Sequence, residues 1–176
     1  MLAVITEATL KLLPLPPFRA ALSVGSVRLP ILGIKAIIKA GFLPSALELA
    51  DEFTLRAVKN RTGNKRFLGC RGHLIVELDG QEKSVRTELR ELKKLLGKLN
   101  PRFLDQALGG VAVESIWQLR REFSNALRDI GLVKLNEDIV VPRRSLEELL
   151  ALTGKLQKKH NMLVACLVMP VTGTFM

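Results

Sequence analysis

The stretch His73-Leu-Ile-Val-Glu-Leu-Asp-Gly-Gln-Glu-Lys-Ser-Val-Arg-Thr-Glu-Leu-Arg-Glu-Leu-Lys-Lys-Leu-Leu-Gly-Lys-Leu99 decides the fold class. His73 to Leu78 reads as a strand, and Asp79-Gly80 turns it into a long helix. In that helix Val85, Leu89, Leu92, Leu96 and Leu99 recur at helical spacing and fall on one face. Asn100-Pro101 stops it, because proline cannot continue a helix. A strand followed by an amphipathic helix needs a sheet for the helix to cover.

The same alternation extends outward. Upstream, Leu2 to Leu13 has the alternation and β-branched content of strand and is closed by the proline-rich residues 14–17. A second strand is predicted near Arg19 to Arg28. Pro30 opens a helix with Ile31, Ile34, Ile37 and Ile38 as its stripe and Gly41 at its end. Ala46 to Ala50 reads as strand and Phe53 to Lys59 as helix, followed by a basic, glycine-containing loop from Asn60 to Gly72.

Downstream, Gly109-Gly110 reads as a turn. A helix spans Val113 to Asp129, with Ile116, Phe123 and Leu127 on its inner side. Leu132 to Val141 reads mostly as strand. Ser145-Leu-Glu-Glu148 is a capping box opening a last helix that ends in Lys158, Lys159 and His160. Met162 to Cys166 is predicted to be a further strand. Pattern alone gives α/β or α+β.

Composition narrows the partners. The chain has 176 residues, 48% of them hydrophobic and 25% charged, so it is long enough for one domain with a core. A net charge of +10 favours anionic partners: nucleic acid, acidic lipid or small carboxylates. Cys70 and Cys166 are far apart and form no disulfide framework, which fits a reducing compartment. Residues 1–17 have no signal-peptide character, and the apolar run Met162 to Met176 is shorter than the ~20 residues a membrane span needs.

The segment Leu119 to Cys166, LRREFSNALRDIGLVKLNEDIVVPRRSLEELLALTGKLQKKHNMLVAC, resembles the C-terminal (cap) domain of FAD-linked 2-hydroxy-acid oxidoreductases. That family includes the glycolate oxidase flavoprotein subunit and D-lactate dehydrogenase. Residues 44–51 (PSALELAD) and the strand from His73 to Gly80 also match the cap. Residues 1–17 look like the terminal strand of the family's FAD-binding domain, and residues 18–166 like a truncated cap. The resemblance implies an α+β fold: a ferredoxin-like antiparallel sheet with helices on one face.

In the family the next residues after the position of Cys166 are typically Phe-Gly-His-Ala-Gly-Asp-Gly-Asn-Ile-His, whose histidines sit at the active site. Here residues 167–176 read Leu-Val-Met-Pro-Val-Thr-Gly-Thr-Phe-Met. With suitable synonymous codons, dropping one T from the first codon of the family motif yields this tail followed by a stop. The expectation is a frameshifted tail over 167–176, no catalytic residue in this chain, and no activity in isolation.

By resemblance, the complete enzyme oxidises an α-hydroxy acid, with FAD carrying the redox step and a divalent metal as a candidate aid to deprotonation. Arg120 and Ser124 match the family's substrate-binding arginine and hydroxyl, and Lys134 matches a further substrate-side cation. A guanidinium grips a carboxylate through two parallel charge-assisted bonds. From pattern alone Arg120 and Arg121 are surface arginines; the resemblance turns Arg120 toward function, with Arg121, Asn125 and Arg128 on the solvent side. No cofactor-binding residue is assigned, since no phosphate-cradling glycine motif is present, and no metal ligands are assigned.

His73 and His160 do not replace the missing pair, and Cys70-Arg-Gly-His73 falls short of a four-ligand zinc site. Glu77 and Asp79 read as a solvated rim, and Trp117 as core. The resemblance implies a small 2-hydroxy-acid substrate, an iron–sulfur electron-transfer subunit as a candidate partner, and a cytoplasmic or membrane-peripheral setting. Two other readings compete. One is a basic nucleic-acid-binding module built on Arg56 to Arg71, with only Phe67 there to stack on bases. The other is a cap subunit serving a separately encoded FAD domain. A fragment is further expected to expose apolar patches and to dissolve poorly.

Overall fold

The computed structural model describes residues 6–10, 14–27, 31–131 and 135–169. Five strands form one antiparallel sheet: β1 (Phe18–Ser26), β2 (Ala46–Asp51), β3 (Gly72–Gly80), β4 (Phe103–Leu108) and β5 (Leu167–Val168), in the order β4-β1-β3-β2-β5. Among the described residues five α-helices accompany it: α1 (Ile31–Lys39), α2 (Glu52–Thr62), α3 (Glu82–Gly97), α4 (Gly110–Arg128) and α5 (Leu146–His160). The α+β class with an antiparallel sheet is what the resemblance implies.

The helices take both faces of the sheet, not one. Alternation along each strand explains why. Ala20, Leu22 and Val24 of β1, Leu47 and Leu49 of β2, and Leu74, Val76 and Leu78 of β3 point to one side. There they bury Ile31, Ile34 and Ile37 of α1, Val85, Leu89, Leu92 and Leu96 of α3, and Leu146 of α5. The intervening positions face α2 and α4, where Ala50, Leu55, Val58, Phe67, Cys70, Phe123 and Leu127 form a second cluster. Ala21, Ala107 and Val113 form a third beside it. Both faces of β3 are buried, from Gly72 through Leu78, and this includes the polar His73 and Glu77.

Several expectations change in detail. Residues 6–10, within the strand expected over Leu2 to Leu13, are exposed and belong to no strand. Residues 135–141 are likewise outside any strand, and 135–140 are exposed, so their apolar content has no sheet partner there. β4 was not foreseen: FLDQAL alternates weakly, because an edge strand buries little. The last strand falls at Leu167–Val168, later than Met162 to Cys166, and pairs with Leu49 and Ala50. Ser145 does sit at the N-terminus of α5, but its side chain makes no capping bond, because a short 3-10 turn over Arg143–Ser145 leads into the helix.

Candidate functional site: a polar layer beneath α4

Phe123, Leu127 and Val113 anchor α4 to the sheet, and this sets which of its other residues look inward. Trp117 and Arg120, one turn apart, lie half-buried over β3 and β2. The Arg120 Nε donates to Oε2 of Glu48 at 2.5 Å, and only 22% and 17% of the two side chains are exposed. The Trp117 Nε1 donates to Oε2 of Glu77, also at 2.5 Å. Arg19 of β1 grips the same Glu77 with two parallel bonds, Nε to Oε1 at 2.7 Å and Nη2 to Oε2 at 3.0 Å.

Strand register assembles this layer. Ala46 lies opposite Glu77 and Glu48 opposite Ile75, so the two carboxylates are diagonal neighbours on one sheet face. Two guanidiniums balance them, so the layer is neutral as a whole. Removing water from such charges is costly, and each pair offsets that cost only while both partners stay in place.

Glu77 is 5% exposed, which corrects its reading as part of a solvated rim. Its partners, Arg19 and Trp117, lie far away in sequence and give no local signal. The clue available was that Glu48 and Glu77 occupy alternate positions in otherwise apolar strands. A carboxylate there faces either solvent or a dedicated cation.

Ser124, one turn beyond Arg120, is half-buried on the same side of α4. Lys134 lies outside the described residues. Arg121 pairs with Glu114 on the exposed side, at 2.5 Å, and Arg128 is exposed. Arg120 and Ser124 therefore share a helical face, and Arg120 already holds one carboxylate.

The two histidines sit in different settings. His73 is enclosed by the rings of Phe67, Phe103 and Phe123 at 5.0–6.0 Å between centroids, and its Nε2 meets Ser23 Oγ at 2.8 Å. Burial, with Arg66 adding to it, pushes its pKa down to about 3. His160 closes α5. Burial also pushes both thiols, Cys70 and Cys166, above their ordinary range. Among the described residues, no group of three or more His, Cys, Asp or Glu side chains is arranged to hold a metal ion.

In the basic segment from Arg56 to Arg71, three of the six cations have a carboxylate partner among the described residues. Arg61 pairs with Glu122 and Asp129, Arg66 with Asp105, and Arg71 approaches Glu52 at 4.0 Å. Phe67, its one aromatic, is 4% exposed and packed in the core, so it offers no base-stacking surface. Among the described residues no helix is long and apolar enough to cross a membrane.

Known proteins share this architecture. The chain is 29% identical to glycolate oxidase subunit GlcD of Escherichia coli K12 over 167 residues, covering 94% of this chain and 34% of that protein. It is 22% identical to the GlcD subunit of Bacillus subtilis, covering 91% of this chain and 34% of that protein. It thus spans about a third of the length of these relatives. A solved structure of alkyldihydroxyacetonephosphate synthase superposes with a TM-score of 0.61 at 17% identity, covering 92% of this chain and 34% of that one. That likeness establishes the shared fold. The sequence profile described as "FAD linked oxidases, C-terminal domain" matches residues 21–171, and the chain belongs to this FAD-linked oxidase family.

Proposed function

We propose that this chain is the substrate-side cap of an FAD-dependent oxidoreductase acting on a 2-hydroxy acid, glycolate or D-lactate, and that it does not turn over alone. The observation that carries the reading is Arg120. It projects from α4 toward the sheet, is already engaged by a carboxylate, and is still partly open to solvent. Such a guanidinium can bind a small carboxylate and fix its orientation. Ser124 and Lys134 are proposed to complete that recognition.

Among the described residues, the candidate glycine turn does not cradle a flavin pyrophosphate. The one candidate glycine turn, Gly109-Gly110, opens α4, and the first turn beyond it is Val111-Ala-Val113, with no basic side chain for a pyrophosphate. The Gly109 amide is also committed to the Arg19 carbonyl. No redox step is therefore assigned to these residues; their part is to bind and orient. A divalent metal and an iron–sulfur acceptor subunit are proposed only for the complete assembly, as is its cytoplasmic, membrane-peripheral setting.

Titration of the chain with D-lactate or glycolate, followed by NMR, tests the reading. Saturable binding lost in Arg120→Ala supports it; no binding, or binding indifferent to Arg120→Ala, overturns it. With added FAD and a dye acceptor, no 2-hydroxy-acid oxidation is expected. The proposed frameshift over 167–176 has its own test. Resequencing the DNA should recover Phe-Gly-His-Ala-Gly-Asp-Gly-Asn once a base is restored after the Cys166 codon; an unambiguous frame without that motif rejects it.

A further inference from the structure

We propose that Glu48 is the positioning residue for Arg120: it holds the guanidinium by one edge so that the other edge is presented to an anionic ligand. The inference rests on the carboxylate-binding reading of Arg120. Its basis is the atom used in the contact. Within the described residues, Arg120 meets Glu48 through Nε, the atom nearest the side-chain stem.

A guanidinium is planar and carries five N–H donors in a fixed fork, so it can serve two carboxylates at once. An acceptor on Nε fixes the plane and leaves the end-on Nη1/Nη2 edge able to make two parallel bonds to a second carboxylate. Lysine could not divide its contacts in this way. Its ammonium is a compact point charge without a rigid fork.

Glu48 is itself well placed for the task. It lies on β2 in the run Ala46-Leu-Glu-Leu-Ala50, whose leucines are buried in the core on the opposite face. β2 is held on both sides, by β3 over its whole length and by β5 near its end. A carboxylate on so constrained a strand gives Arg120 a fixed partner. Beside it, Glu77 already accepts three bonds from Arg19 and Trp117, while Arg120 bonds Glu48 instead.

Charge and position pull in opposite directions, which makes the role testable. If Glu48 merely occupied the anion site, deleting it would strengthen binding, because a competing negative charge would be gone. If it positions Arg120, deleting it frees the side chain and weakens binding.

The experiment is NMR titration of the 176-residue chain and its variants with D-lactate, with the Arg120 Nε–H resonance followed throughout. Glu48→Ala is expected to weaken binding about tenfold, the scale of a lost orienting contact. Glu48→Gln, which keeps an oxygen acceptor in place, is expected to restore most of the loss. In the unaltered chain the Nε–H signal should persist in its hydrogen-bonded position at saturation, since the ligand takes the other edge.

Unchanged or tighter binding in Glu48→Ala, or loss of the Nε–H signal as ligand binds, overturns the inference. Arg120→Ala keeps the two claims apart. If it abolishes binding while Glu48→Ala does not weaken it, the site stands and the positioning role falls. If Arg120→Ala binds D-lactate normally, the site itself is wrong. Thermal melting of each variant identifies a fold defect, and the isosteric Glu48→Gln keeps the test decisive if Glu48→Ala unfolds.

Discussion

His73 shows how a residue suited to chemistry becomes a structural one. Three aromatic rings surround it, its Nε2 bonds Ser23, and among the described residues its buried Nδ1 has no partner. Its folded pKa of about 3 lies below its ordinary value of 6.5. Between those values the unfolded chain binds a proton that the folded chain refuses, so stability falls as pH drops through that window. The slope attributable to His73 approaches ~1.4 kcal/mol per pH unit. Urea melts from pH 7 to pH 4 should show it, and His73→Phe should flatten the slope. The sequence places His73 at a strand start, as β3 bears out, but its cage could not be foreseen. Phe67, Phe103 and Phe123 converge on it from a 3-10 turn, an unforeseen strand and a helix.

The helices were legible because period and punctuation agree in them: α1 and α3 bury the stripes the spacing marks, and Gly41 adopts the positive φ of 81° that suits the chain just after α1. The edge strands were not, since β4 and β5 each pair on one side only and carry little alternation. The β1–β4 pairing depends on Gly25. A Cβ there would come within 2.1 Å of the Phe103 ring, which lies directly opposite. Gly25→Ala should therefore destabilise the fold by roughly 2 kcal/mol, measured by urea melting, by forcing that ring out of its cluster.

At the other edge Asp51 serves two elements. Its Oδ1 accepts from the Thr54 amide as the cap of α2, and its Oδ2 accepts from the Cys166 amide, both at 2.9 Å. Asp51→Ala should cost about 1 kcal/mol through the cap and speed amide exchange at Cys166 and Val168. Equal exchange in both proteins would mean that β5 is held by its ladder alone.

Across the whole molecule the polar layer and the apolar surface tell different stories. The layer under α4 was half legible: the resemblance singled out Arg120 and Ser124, but nothing local linked Arg120 to Glu48 or Glu77 to Arg19, which is 58 positions away. The surface keeps Leu152 and Leu156 on α5, and Met162 and Leu163 after it, exposed. Leu152 and Leu156 are one turn apart and so share a face. Sedimentation at rising concentration should reveal self-association, and Leu152→Lys with Leu156→Lys should suppress it. A monomer at every concentration would show that this stripe is inert.

The strand order also governs when the molecule can become itself during synthesis. β1 is the first strand of the sheet among the described residues, yet its two neighbours are β3 and β4, so it waits unpaired while both are made. The Asp51–Cys166 tie closes a still longer loop, across 115 positions. Contacts so distant in sequence slow folding, because loop-closure entropy must be overcome before the contacts reward it. A nascent chain cut between β3 and β4 would carry β1 with one bare edge, a natural target for chaperones and for pairing with the wrong strand.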